Sequence, residues 1–355
     1  MNNYSMSPPR GSTFVASALG IVMLSGVTGT ALADPSPREN CLLGELKTAT
    51  PDTTVEQMRE RCAAEADTPT PAPEQEAPPA NPDASLLGAR INREDAAETN
   101  RSTLVPHRRN YFMPITYMAN PNEEPFQAAG DTENQNLDNA EIKFQLSIKV
   151  PLLESLFTEN DTIYFGFTAL SFWQAYNSSL SQPFRETNYE PEFFYVTPSP
   201  WKLFNSDATL LVLGFSHQSN GREAPLSRGW NRLYANLIWE EGNFVFSLKP
   251  WWRIPEPAKT DPLSAKGDDN PDIEKYMGYF EFVTAYRRGK QEYSVLVRNN
   301  LRSENRGAVQ LEWTFPMYKR LRGYVEYFNG YGESLIDYNA HMQRIGVGFM
   351  LSDLL

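Results

Sequence analysis

Leu211-Val212-Leu213-Gly214-Phe215-Ser216-His217-Gln218-Ser219, resumed after a polar turn by Asn231-Arg232-Leu233-Tyr234-Ala235-Asn236-Leu237, is the stretch on which the fold turns. Alternate residues of a β-strand share one face and sit about 6.5 to 7 Å apart along it. Leu211, Leu213, Phe215, His217 and Ser219 therefore share a face, and Val212, Gly214, Ser216 and Gln218 share the other. On the second strand Asn231, Leu233, Ala235, Leu237 and Trp239 fall together, opposite Arg232, Tyr234, Asn236 and Glu240. An antiparallel hairpin with His217 opposite Asn231 keeps His217, Ser219 and Asn231 on one side, because fourteen is an even separation. A base, a hydroxyl nucleophile and an orienting amide then converge on the greasier face. A soluble enzyme does not usually put its active site there. A barrel with lipid outside and polar groups inside inverts the usual arrangement and accounts for it.

Outward from this hairpin the rest of the chain agrees. Residues 1–33 carry Arg10, an apolar stretch from Phe14 through Val27 and Ala31-Leu32-Ala33, which predicts a secretory signal peptide. Beyond it no run of about 18 apolar residues provides a transmembrane helix. A closed antiparallel barrel is the remaining way to span a membrane. The first strand is expected near Tyr111–Tyr117. The others are expected over 141–150, 162–172, 188–197, 208–219, 231–240, 243–253, 275–287, 291–300, 307–315, 320–328 and 342–351, about twelve in all. Aromatic residues make up 12% of the chain. Trp173, Tyr176, Phe193, Phe194, Tyr195, Trp201, Trp230, Trp239, Trp251 and Trp252 are candidates for interfacial girdles.

Residues 34–104 form an N-terminal extension ahead of a barrel over 105–355. Its two cysteines, Cys41 and Cys62, are expected to pair in an oxidising periplasm, flanking helix-compatible sequence at Val55–Arg61. Residues 63–104, rich in Pro, Ala and Glu, predict a linker with no packed core. A formal charge of −12 with no Lys/Arg-rich stripe argues against nucleic acid as a partner.

Several separated segments carry a family resemblance. They are Pro183-Phe184-Arg185-Glu186-Thr187-Asn188-Tyr189-Glu190-Pro191, the His217 to Asn231 stretch, Asp268-Asp269-Asn270-Pro271-Asp272 with Lys275-Tyr276-Met277-Gly278-Tyr279, and Tyr331-Gly332-Glu333-Ser334-Leu335-Ile336-Asp337-Tyr338. Over roughly 105–355 the chain resembles the bacterial outer membrane phospholipase A family. The resemblance implies an outer-membrane barrel of twelve strands and calcium-dependent hydrolysis of phospholipid and lysophospholipid acyl esters. It also implies activation by homodimerisation. Carried over residue by residue, it implies Ser219 as nucleophile, His217 as general base, Asn231 as the group orienting the imidazole, and the Gly221 amide as oxyanion donor. For calcium it implies the backbone carbonyl of Arg222, the side chain of Ser227 and the partner subunit's Ser181, with Asp269 at a second position. Arg222 and Arg228 have an alternative reading as loop charges that hold lipopolysaccharide phosphates.

Two departures from the family pattern stand out. Ala169 occupies the position of an interfacial glutamine, which leaves Phe167 and Leu170 to carry association, and the loop between Pro255 and Lys266 is longer than usual. Two other function classes remain open on sequence. A passive outer-membrane barrel or channel with a degenerate hydrolase motif calls for a wide lumen lined by charged rings, whereas about twelve strands enclose a narrow interior filled by residues such as Arg232, Glu240 and Lys249. A soluble periplasmic lipase requires the apolar parity to face a core.

Overall fold

The computed structural model describes residues 41, 44–47, 54–62, 85–88, 90, 105–130, 136–179, 183–199, 201, 203, 204, 206, 208–261, 263, 264, 266–318 and 321–352. The chain divides into two compact units, Met1–Glu76 and Ala77–Leu355. In the first, α1 (Val55–Arg61) forms as its sequence predicts, Cys41 and Cys62 are joined by a disulfide, and Arg61 pairs with Glu45 at 3.0 Å. The expected signal peptide lies outside the described residues.

The second unit is a closed antiparallel barrel of twelve strands. They are β1 (Asn110–Met118), β2 (Ala140–Glu154), β3 (Thr162–Trp173), β4 (Phe184–Pro198), β5 (Ala208–Ser219), β6 (Gly229–Glu241), β7 (Phe244–Arg253), β8 (Phe280–Arg288), β9 (Gln291–Asn299), β10 (Gly307–Tyr318), β11 (Leu321–Tyr331) and β12 (His341–Ser352). Each pairs with its neighbours in sequence, and β12 returns to β1, with Ile345 opposite Tyr117, to close the ring. Closure removes the sheet edges that hydrocarbon cannot solvate. No helix among the described residues is long and apolar enough to cross a membrane. Tight connections at Glu241/Phe244 and Arg288/Gln291 lie at one rim, and the two longest connections, after β1 and β7, lie at the other together with those after β3, β5, β9 and β11.

Alternation along each strand separates wall from lumen. Phe112, Leu146, Phe193, Leu213, Leu233, Trp313 and Val347 are exposed on the outside. Inward positions carry buried charge that is paired across the barrel. Arg185 meets Glu141 at 3.0 Å and Asp337 at 2.6 Å, and Arg344 meets Glu141 and Glu333, each at 2.7 Å. Lys143 bridges Glu326 and Glu333 at 2.6 and 3.0 Å, while Arg109 ties Glu292 to Glu312. Arg232 pairs with Glu190 at 2.7 Å and Lys249 lies 3.7 Å from Glu192, so the interior residues named from sequence do fill the lumen. A cavity of about 890 Å³ remains among them.

Four expectations are corrected. Residues 275–279 do not open a strand, because Glu274–Met277 form a short helix (α2) ended by Gly278 at φ 70°, and β8 starts at Phe280. Phe194, Trp230 and Trp251 are not girdle residues. They share parity with the lumenal charges and pack together inside. Leu170 likewise turns inward, against the Tyr111, Met113, Tyr324 and Met350 cluster, and leaves Phe167 on the wall beside Tyr189. Finally, residues 63–104 do not all lack packing. Leu87 is buried against Val245 and Ala285, and the Glu240 carboxylate accepts from the Ser85 hydroxyl at 2.6 Å and from the Leu86 and Leu87 amides at 2.6 and 2.8 Å. The apolar Leu86-Leu87 pair supplies this burial.

Candidate active site

The β5–β6 hairpin takes the expected register, with His217 directly opposite Asn231 and Ser219 opposite Gly229. His217 Nδ1 lies 2.8 Å from Asn231 Oδ1, and its Nε2 lies 3.1 Å from Ser219 Oγ. All three side chains share the outward parity of exposed Leu213 and Leu233. On the other parity of the same strands, Ser216 and Arg232 are buried in the lumen. The cluster therefore sits on the lipid-facing wall near the rim with the long loops. Tyr189 of β4 stands opposite Ser219 and stacks with Phe167, so the hydroxyl opens beside an apolar strip.

The amide of Asn231 is held from behind. Its Nδ2 donates to Glu256 Oε1 at 3.0 Å, and its backbone carbonyl accepts from the Ile254 amide at 2.9 Å. A carboxylate accepts hydrogen bonds and does not donate them, so the NH2 must face Glu256 and the carbonyl oxygen must face the imidazole. That oxygen accepts from Nδ1–H and leaves Nε2 as the acceptor for the Ser219 hydroxyl. The tautomer is the one a general base requires.

Beyond Ser219 the chain turns through Gly221, whose φ of 64° suits glycine and beside which a Cβ would meet the Tyr189 ring at 3.4 Å. Asn220 organises this turn. Its Oδ1 accepts from the Arg222 and Arg228 amides at 3.3 and 2.9 Å, and its Nδ2 donates to the Leu226 carbonyl at 2.9 Å. Asn270 adds a bond from the Gly229 amide to its Oδ1 at 2.9 Å.

Residues 87–351 match the model of the phospholipase A1 family. The chain belongs to that family. Phospholipase A1 of Escherichia coli K12 is 39% identical over 255 residues, covering 72% of this chain and 83% of that protein. The Klebsiella pneumoniae phospholipase A1 is 38% identical over 255 residues, 72% of this chain and 84% of that one. Among solved structures, outer membrane phospholipase A from E. coli superposes with a TM-score of 0.65 at 38% identity, over 71% of this chain and all of that one. The Salmonella typhi outer membrane phospholipase, solved as a dimer with bound calcium, gives the same score and identity over 72% and 94% of the two chains. This phospholipase A1 family member is thus an outer-membrane β-barrel of a phospholipid-hydrolysing family.

The remaining sequence candidates are distributed unevenly in this phospholipase. Ser227 and Asp269 come together, the hydroxyl donating to Oδ2 at 2.7 Å, and the Lys259 ammonium pairs with the other oxygen of Asp269. The Arg222 guanidinium reaches back to the Phe184 and Arg185 carbonyls at 3.2 and 2.6 Å, and Arg228 bonds the Pro225 and Ser227 carbonyls at 2.9 and 2.7 Å. Both arginines therefore brace the loops through backbone carbonyls. Ser181 lies outside the described residues. Among the described residues no group of three or more His, Cys, Asp or Glu side chains could hold a metal. Sequence reasoning missed Glu256, Asn220 and Asn270. Asn220 had a local signal, a polar residue right after Ser219. Glu256 had none, since its partner lies 25 positions away across a loop without periodicity.

Proposed function

We propose that this protein hydrolyses the acyl esters of phospholipids and lysophospholipids, at either acyl position, with Ser219, His217 and Asn231 as its triad, in a calcium-dependent reaction activated by dimerisation. One observation carries the reading: His217 sits between Ser219 and Asn231 at hydrogen-bond distance from both, on the wall that lipid covers.

In the reaction Ser219 Oγ attacks the ester carbonyl as its proton passes to His217 Nε2. Asn231 Oδ1 keeps the ring in place through Nδ1–H while the imidazolium exists. The Gly221 amide is the donor assigned to the oxyanion. The protonated Nε2 then gives its proton to the leaving glycerol oxygen, which frees the lysolipid and leaves an acyl-Ser219 ester. Water, deprotonated by the same nitrogen, hydrolyses that ester and restores the hydroxyl.

Oxygen donors suit a hard cation. The Arg222 carbonyl, the Ser227 hydroxyl and the partner subunit's Ser181 would hold calcium, with Asp269 at a second calcium position, where its carboxylate already attracts the Lys259 ammonium. When bound, calcium would polarise the ester carbonyl or order waters that donate to the oxyanion. Dimerisation draws support from the Salmonella typhi dimer and from the outward Phe167 and Tyr189 pair beside Ser219.

The test is hydrolysis of a defined phospholipid in detergent micelles by refolded wild type and Ser219→Ala, each with calcium and with excess chelator. The expected result is a loss of about 10⁴-fold or more for Ser219→Ala, and loss of wild-type activity in chelator. Equal rates in all four samples would overturn the triad, and activity indifferent to chelator would overturn the calcium requirement.

A further inference from the structure

A neutral amide in the third place of a triad orients the imidazole but offers no charge to offset the imidazolium that forms during reaction. The chain answers this with a carboxylate one residue further back. Glu256 Oε1 accepts from Asn231 Nδ2 at 3.0 Å, so Glu256, Asn231, His217 and Ser219 form one continuous hydrogen-bonded line. We propose that Glu256 is a positioning residue for catalysis, which locks the Asn231 amide in its productive orientation and supplies through it the negative charge the amide lacks. The proposal deepens the triad reading and rests on it.

Three features separate this from a solvated surface glutamate. Glu256 is partly buried, and it stands between Pro255 and Pro257 in a loop whose other residues are largely exposed. Proline fixes its own φ and biases the residue before it toward extended backbone, so Pro257 restricts Glu256 directly and Pro255 fixes the φ of the residue leading into it. Both ends of the turn are also pinned. The Ile254 amide donates to the Asn231 carbonyl at 2.9 Å, the Asp268 amide donates to the Pro257 carbonyl at 2.8 Å, and Ala258 bridges Asp268. The carboxylate is therefore held in place before substrate arrives, and little ordering is left to occur in the transition state.

The electrostatic effect has a definite direction. A carboxylate on the NH2 side polarises the amide, which makes Oδ1 a better acceptor for Nδ1–H. It also places a full negative charge in line with the ring, where attraction is present only while His217 carries the proton. That interaction is weak in the ground state and strong in the transition state, so its removal lowers kcat and leaves KM in place.

The experiment compares wild type, Glu256→Gln, Glu256→Ala, Asn231→Ala and the Glu256→Ala/Asn231→Ala double variant on one phospholipid in calcium-containing micelles, with Ser219→Ala as the inactive reference. Glu256→Gln retains an acceptor and removes the charge, and it is expected to lower kcat about tenfold at unchanged KM. Glu256→Ala loses orientation as well and is expected to fall further. In the Asn231→Ala background the same change has nothing to act through, so the double variant matches Asn231→Ala alone. Asn231→Asp should be impaired by two adjacent carboxylates and recover when Glu256→Gln is added. Calcium affinity and heat-dependent gel mobility, which report loop packing and barrel folding, stay at wild-type values in the Glu256 variants.

Wild-type kcat in both Glu256 variants would overturn the proposal. So would a loss that persists in the Asn231→Ala background, since Glu256 would then act through loop packing. A Ser219→Ala protein that keeps its activity would instead bring down the triad reading, which separates the two failures.

Discussion

Lys259 and Asp269 show how a single residue can stand where a cation is expected. A lysine ammonium beside a carboxylate that also accepts from Ser227 is an internal positive charge, and any calcium anchored on Asp269 must displace it. Lys259→Gln is therefore expected to tighten calcium binding about fivefold. Calorimetric titration in micelles checks this, and an unchanged affinity would remove Asp269 from the calcium account. The residue scale is also where sequence was most and least informative. Parity alone gave the shared face of His217, Ser219 and Asn231, because strand geometry has a period of two, and the register with His217 opposite Asn231 is one that this parity permits. The same parity assigns Phe194, Trp230 and Trp251 to the lumen, yet aromatic composition had suggested the girdles. Glu256 carried no signal, since loop contacts obey no period.

At the scale of elements, the barrel strands were legible within a few residues, and the segments before and between them were not. The helix at Glu274–Met277 replaces the start of an expected strand because Gly278 interrupts the extended pattern. Residues 85–88 are docked where a free linker was expected, because Glu240 at the end of β6 receives three hydrogen bonds from them. Hydrogen bonds to a charged acceptor contribute about 1.5–3 kcal/mol each against water, less where solvent competes. Glu240→Ala should release this segment, with faster amide exchange at Leu86 and Leu87 and hydrolysis at the wild-type rate. Unaltered protection at those two amides would mean that Leu87 packing alone holds the segment.

For the whole molecule, closure and filling are separate achievements. Twelve strands close because β12 meets β1, and the interior is filled by charges that would be costly to bury singly. Arg185 and Arg344 share Glu141, and Lys143 shares Glu333 with Arg344, so each ion has a partner inside the wall. The architecture was readable in advance because lipid outside and ions inside force alternation on every strand. The identity of the partners was not, since Arg185 and Asp337 lie 152 positions apart.

The proposed triad faces outward from this ion-lined cylinder, which places the hydroxyl of Ser219 to meet a substrate in the plane of a surface. Turnover should then follow the mole fraction of phospholipid within that surface. Adding inert amphiphile at constant bulk phospholipid dilutes the substrate in two dimensions, and the rate should fall in proportion although nothing in the aqueous phase has changed. A rate that tracked only bulk concentration would mean that the ester reaches Ser219 from water.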